Sequence, residues 1–111
     1  MSSYEDFEKL GIRVGRITKV EDFPKARKPA YKLWIDFGEL GIRKSSAQIA
    51  ALYKKEDLVG RMIIGVTDFP PKQIADFVSE VLVLGVCNKD GNVVLLELER
   101  LQNIEPGSKI C

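Results

Sequence analysis

One stretch leaves this chain little freedom in how it folds. In "YKLWIDFG", Tyr31, Leu33, Ile35 and Phe37 alternate strictly with Lys32, Trp34 and Asp36. Side chains on a strand point alternately to opposite faces, so a period of two predicts a β-strand with one apolar face and one wet face. Its neighbours must then supply strands to pair with it.

Several segments can do so. "IRVGRITKV" begins with Ile12 and Val14 in phase, but Ile17 falls out of phase. The break centres on Gly15 and predicts a bulge or sharp bend there. A turn at "GELG" leads to a third strand, "IRKSS", and "RMIIGVTDF" is a fourth, ended by Pro70 and Pro71. "EVLVLGV" and "VVLLEL" are apolar strands joined by "CNKDGN", whose Asp90-Gly91 is a hairpin signal. "SYEDFEKL" predicts a short helix that Ser3 caps, with Asp6 three residues on and Phe7 and Leu10 on one face. "AQIAALY" predicts a second short helix. "DFPKARKPA" is a loop carrying Lys25, Arg27 and Lys28, and "NIEPGSKI" is a final extended piece.

Short strands at a spacing of about 8–12 residues, with one small helix in the middle, predict a small all-β barrel. A barrel with a helix between its third and fourth strands is the five-stranded OB-fold, whose strand face and loops commonly bind oligonucleotides. A chain of 111 residues suits one domain, residues 1–111. The last hairpin adds a constraint. In "EVLVLGV" both alternating sets are apolar, Val81 and Val83 on one side and Leu82, Leu84 and Val86 on the other. A barrel has one inner face, so the outer one needs a cover, either the N-terminal helix or a second copy of the chain. A symmetric homodimer is the favoured expectation.

Composition narrows the function. No run approaches the ~20 apolar residues of a membrane span, and "MSSYEDFEKL" is acidic and amphipathic, unlike a signal peptide. A cytoplasmic protein without membrane insertion is the expectation. There is no histidine, which removes His-based triads and His-ligated metals. Cys87 and Cys111 form no CxxC, and Cys87 reads as part of a buried strand. No metal-ligand cluster, phosphate loop or paired-carboxylate motif is present, so neither an enzyme nor a cofactor is expected. The net charge is only +1, but residues 9–55 hold 12 bases against four acids, while residues 56–111 hold five bases and nine acids. Such asymmetry fits one face for an anionic ligand, or solvated lysines on strand surfaces.

Three stretches carry candidate chemistry. In "GIRKSSAQI", Ser45 and Gln48 fit the capping box S-x-x-Q at the start of the second helix. Arg43, Lys44 and Ser46 beside that helix end would also suit a phosphate or sugar. "DFPPKQIADFVSE" reads as a loop stiffened by its prolines over Ile74 and Phe77, or as a rim that places Lys72, Gln73 and Ser79 near that first site. Trp34, between Lys32 and Asp36, suits base stacking, a dimer contact or a peptide groove.

In this order and spacing, "KPAYKLWIDFG", "IRKSSAQI", "VTDFPPKQIADFVSEVLVLG" and "VVLL…PG" resemble the CsaA family, from about Phe7 to Ile110. These are small cytoplasmic proteins with the tRNA-binding domain also found at the C-terminus of methionyl-tRNA synthetases and in endothelial monocyte-activating polypeptide. The resemblance implies an OB-fold homodimer wrapped by its N- and C-terminal segments, with no catalytic activity. It further implies tRNA binding by shape and a chaperone role for unfolded or export-destined polypeptides. Family binding motifs fall on Lys32, Ser45, Ser46, Gln48, Lys72, Ser79 and Glu80. Two positions depart from the family pattern: Gln73 replaces a second base, and Asp76 stands where a glycine is common. Asp tolerates a left-handed backbone, but its charge would oppose a phosphate.

Two binding expectations follow. tRNA would contact Lys32, Arg43, Lys44, Ser45, Ser46, Gln48, Lys72 and Ser79. Extended polypeptide would lie in a groove with Trp34 and Phe77 on its floor and Glu80 at its rim; a dedicated export chaperone with no significant RNA binding is the alternative. The dimer would use Phe7, Leu10, Leu82, Leu84, Val86, Ile104 and Ile110.

Overall fold

The structure is a computed structural model that describes residues 1–111. Nine strands form in chain order: β1 (Ile12–Asp22), β2 (Tyr31–Asp36), β3 (Ile42–Ala47), β4 (Met62–Val66), β5 (Lys72–Ile74), β6 (Phe77–Ser79), β7 (Leu82–Val83), β8 (Gly85–Cys87) and β9 (Val93–Leu95). Two helices, α1 (Tyr4–Lys9) and α2 (Lys55–Leu58), lie before β1 and between β3 and β4. Five strands make one antiparallel sheet in the order β3-β2-β1-β4-β7, and β5–β6 and β8–β9 are separate hairpins. The sheet curls into the five-stranded OB-type barrel that the strand pattern predicts.

β2 alternates as its sequence requires. Leu33, Ile35 and Phe37 are fully buried, and with Tyr31 they join Ile17, Ile63, Val81 and Leu95 in one core. β1 pairs with β4 over Ile12–Arg16 and with β2 from Arg16 to Asp22. The register shift lies between Ile17 and Lys19, not at Gly15. Gly15 answers a different need: a Cβ there would lie 2.6 Å from Ile35 Cγ2 and 2.7 Å from the Phe37 ring. The curled sheet brings β1 so close to the core rings that only glycine fits.

The middle helix comes later than its pattern suggests. "AQIAALY" is a turn rather than a helix, and α2 is a single turn whose Leu58 is fully buried in the core. Tyr31 Oη donates to the Tyr53 carbonyl at 2.8 Å, and Tyr53 Oη accepts from the Leu95 amide at 3.0 Å. These bonds pin the turn to the core, and it keeps a single helical bond, from the Tyr53 amide to the Ile49 carbonyl at 3.3 Å. α1 forms as expected, with Ser3 and Asp6 in a capping box.

The amides of Thr67 and Asp68 tie the end of α1 to the end of β4 through the carbonyls of Gly11 and Leu10. The final segment pairs with the start of β1 through Val14–Ser108 and Ile110–Ile12 bonds. "EVLVLGV" splits at Leu84: β7 pairs with β4, while β8 leaves the barrel to pair with β9. α1 therefore does not cover the outer face of the last hairpin, where Val86 is 59% and Val94 42% exposed. Cys87 is exposed, against the buried position its apolar setting predicts.

"KQIADFVS" is not an irregular loop. β5 and β6 make a tight hairpin with Ile74 opposite Phe77, leaving Ala75 and Asp76 as the turn. The left-handed residue is Ala75, at φ 52°, rather than Asp76. A positive φ at the first turn position is the type II′ pattern, which matches the twist of the flanking strands.

Candidate functional site

β3 decides what "RKSS" does. Ser45 and Ala47 face the core, while Lys44 and Ser46 face outward. Ser45 is no helix cap: it is fully buried, and its hydroxyl donates to the Val81 carbonyl at 2.7 Å. The Lys44 amide donates to Glu80 Oε1 at 2.9 Å, the Ser46 amide donates to Ser79 Oγ at 3.0 Å, and the Glu80 amide returns to the Lys44 carbonyl at 2.8 Å. Here the barrel closes between β3 and residues 79–81 without a regular ladder. Side-chain oxygens stand in for the missing strand partners. Ser45 is thus withdrawn from any surface, which corrects its assignment as a ligand contact.

The two adjacent cations part company. Arg43 lies on the opposite side of β3 from Lys44. Its Nε donates to the Leu40 carbonyl at 3.2 Å, and it lines a separate cleft with Lys9, Arg13 and Asp68. Lys44 sits 5.2 Å from the centre of the Phe77 ring, and Lys32 lies 5.0 Å from Phe23 and 5.3 Å from Phe77. Cross-strand register explains this grouping, because Lys32 opposes Ser46 and Trp34 opposes Lys44 on one outer face.

A small second core lies under these cations. Phe23, Ala30 and Phe77 are buried together, with Trp34 and Ile74 packed against them. Phe77 meets Phe23 and Trp34 edge-on, each at 5.7 Å between ring centroids. Phe77 is 6% exposed, so it anchors the β5–β6 hairpin and does not floor an open groove. Trp34 is half-buried with Lys19 4.6 Å from its ring, so its face is not a free platform for a base.

Beside this face runs a trough made of two clefts, of about 660 Å³ and 610 Å³, that share Ser46, Gln48, Lys72 and Ile74. One is walled by Lys25, Arg27 and Lys28 on the loop before β2 and by Gln73 and Ala75 on the hairpin. The other is lined by Phe69, Pro70, Val81 and Leu82, with Ser79 and Glu80. Lys25 pairs with Asp76 at 2.9 Å, and that bond holds the Asp76 carboxyl below the usual carboxylate range. Arg27, Lys28, Lys32, Lys44 and Lys72 have no acidic partner within salt-bridge distance.

The structure therefore gathers Lys32, Lys44, Ser46, Gln48 and Lys72 from the expected contacts and adds Lys25, Arg27 and Lys28. Their sequence signal was the charge density of "KARK"; only the fold shows that the loop walls the same trough as β3 and β5. No group of three or more His, Cys, Asp or Glu residues is placed to hold a metal ion. The expected interface residues divide. Leu82, Val86 and Ile104 are exposed and Leu84 is half-buried, whereas Phe7, Leu10 and Ile110 are half-buried near the chain ends.

A family model described as "Putative tRNA binding domain" matches residues 12–109. The structure of chaperone CsaA from Bacillus anthracis superposes with a TM-score of 0.91 at 50% identity, covering 100% of this chain and 99% of that one. CsaA chaperone protein from Picrophilus torridus gives 0.90 at 54% identity, with 100% of both chains covered. Methionine–tRNA ligase of Methanocaldococcus jannaschii is 36% identical over 93% of this chain, which spans only 15% of the ligase.

Proposed function

The chain belongs to the tRNA binding domain family, and on that premise we propose that it binds tRNA, without catalysis, along the face formed by β2, β3 and the β5–β6 hairpin. The observation that carries this reading is a group of five cations without acidic partners: Arg27, Lys28 and Lys72 line the trough, and Lys32 and Lys44 lie over the aromatic cluster beside it. Phosphates would satisfy them, and ordered counterions would be released. Phe23 and Phe77 are buried beneath the cations and Trp34 is half-buried, so contact on this face falls on the backbone rather than on splayed bases, which favours recognition by shape.

The apolar half of the trough supports a second activity. Phe69 is 44% and Leu82 50% exposed beside Pro70 and Ile74, a surface suited to extended apolar segments of unfolded polypeptide. This agrees with the chaperones whose structures resemble this one. Both ligands would meet at Ser46, Gln48 and Lys72. The exposed outer face of β8–β9 supports a homodimer, and the working compartment on this reading is the cytoplasm.

A titration of fluorescent tRNA from low to physiological salt tests the reading. If all five cations meet phosphate, log affinity should fall against log salt with a slope of about −3.5 to −4.5. Lys28→Gln and Lys72→Gln should each shallow that slope by about 1. An unfolded, apolar-rich peptide should displace the tRNA. A flat salt response with peptide binding intact would leave the dedicated peptide chaperone as the function.

A further inference from the structure

The hairpin turn places an acid at the mouth of the basic cleft. Asp76 follows Ala75 at the tip of β5–β6, and Gln73 Nε2 donates to the Ala75 carbonyl at 2.9 Å, which steadies the tip. Phe77, the next residue, is buried in the aromatic cluster and fixes the base of the turn. The carboxylate is therefore held in place. It reaches Lys25 on the facing loop, Nζ to Oδ2 at 2.9 Å. Lys25 is the one cation lining this cleft that is ion-paired; Arg27, Lys28 and Lys72 are not.

We propose that Asp76 is a built-in competing anion that sets the specificity of the cleft for polyanions, because its carboxylate competes with an incoming phosphate for Lys25. The inference rests on the tRNA-binding reading above. A phosphate and a carboxylate seek the same ammonium, and the carboxylate is tethered at high effective concentration. A lone monoanion gains too little from one lysine to displace it. A polyphosphate chain also engages Arg27, Lys28 and Lys72, and so takes Lys25 as well. The field of Asp76 extends to Lys32, one of the charges that keep its carboxyl ionised. Its removal should strengthen polyanion binding beyond the release of Lys25 alone.

The test is a tRNA titration over salt with Asp76→Asn, Lys25→Gln and the double variant. Asp90→Asn serves as a control, since it removes the same charge in the β8–β9 turn, outside the cleft. Asp76→Asn should tighten binding about threefold at physiological salt and steepen the slope by about 0.7–0.9, while Asp90→Asn changes neither. Lys25→Gln should cost little in the native chain and as much as Lys28→Gln in the Asp76→Asn background. Exposed ion pairs contribute little to stability, so these variants should fold. Equal effects of Asp76→Asn and Asp90→Asn, or an equal cost of Lys25→Gln in both backgrounds, overturns the role of Asp76 alone. Absence of salt-dependent tRNA binding by the native chain overturns it together with the reading beneath it.

Discussion

Ser45 shows how one residue's chemistry follows from its side of a strand. A serine three residues before a glutamine suits a helix cap, and a serine beside two cations suits a phosphate. The structure gives it neither task, because strand β3 runs on to Ala47 and turns Ser45 into the core. Its hydroxyl serves the Val81 carbonyl where the barrel closes. Ser45→Ala should therefore destabilise the fold by about 1–3 kcal/mol in urea denaturation, the cost of a buried acceptor left without a donor. tRNA affinity, measured where the variant is folded, should be unchanged; a loss of affinity with full stability would return Ser45 to the binding surface. Ser46, one residue on, faces outward into the trough. The sequence carries both serines alike, and only strand parity separates them.

Among the elements, the β5–β6 hairpin departs most from expectation. Two prolines and a run of mixed polarity suggest an irregular loop. The hairpin forms because Phe77 and Ile74 oppose each other over the outer core and hold a two-residue turn. That turn puts a left-handed conformation on alanine, a residue with no liking for it. Ala75→Gly should raise stability by about 0.5–1 kcal/mol, since glycine is at ease at the first position of a type II′ turn. A thermal melt reads this directly, and a lower melting temperature would mean the turn is not of that type. By contrast β2 was legible throughout, because each of its inward residues is apolar and each outward one is polar or, like Trp34, amphipathic.

At the scale of the whole molecule, a chain of net charge +1 presents a strongly basic side. The uneven spread of charge along the sequence foreshadowed it. The fold sharpened it by bringing the loop at 25–28 and Lys72 to one trough, with Lys32 of β2 and Lys44 of β3 over the aromatic cluster beside it, while Arg43 went to another cleft. The apolar outer face of β8–β9 is a second whole-molecule feature, with Val86 opposite Val94 and both exposed. On the proposed homodimer, Val86→Asp should shift sedimentation from dimer to monomer without unfolding the barrel. A native chain that sediments as a monomer at micromolar concentration would refute the dimer.

The sequence by itself determined the barrel, the order of its main strands along the chain and the N-terminal cap. Each follows from local periodicity or turn chemistry, which a strand carries wherever it is placed. The tertiary structure alone decided which polar residues are free. Closure of β3 against residues 79–81 engaged Ser45, Ser79 and Glu80, and the hairpin turned Asp76 onto Lys25. These contacts join residues 33 to 51 positions apart. Their formation depends on curvature and register rather than on any pattern a short window of sequence contains.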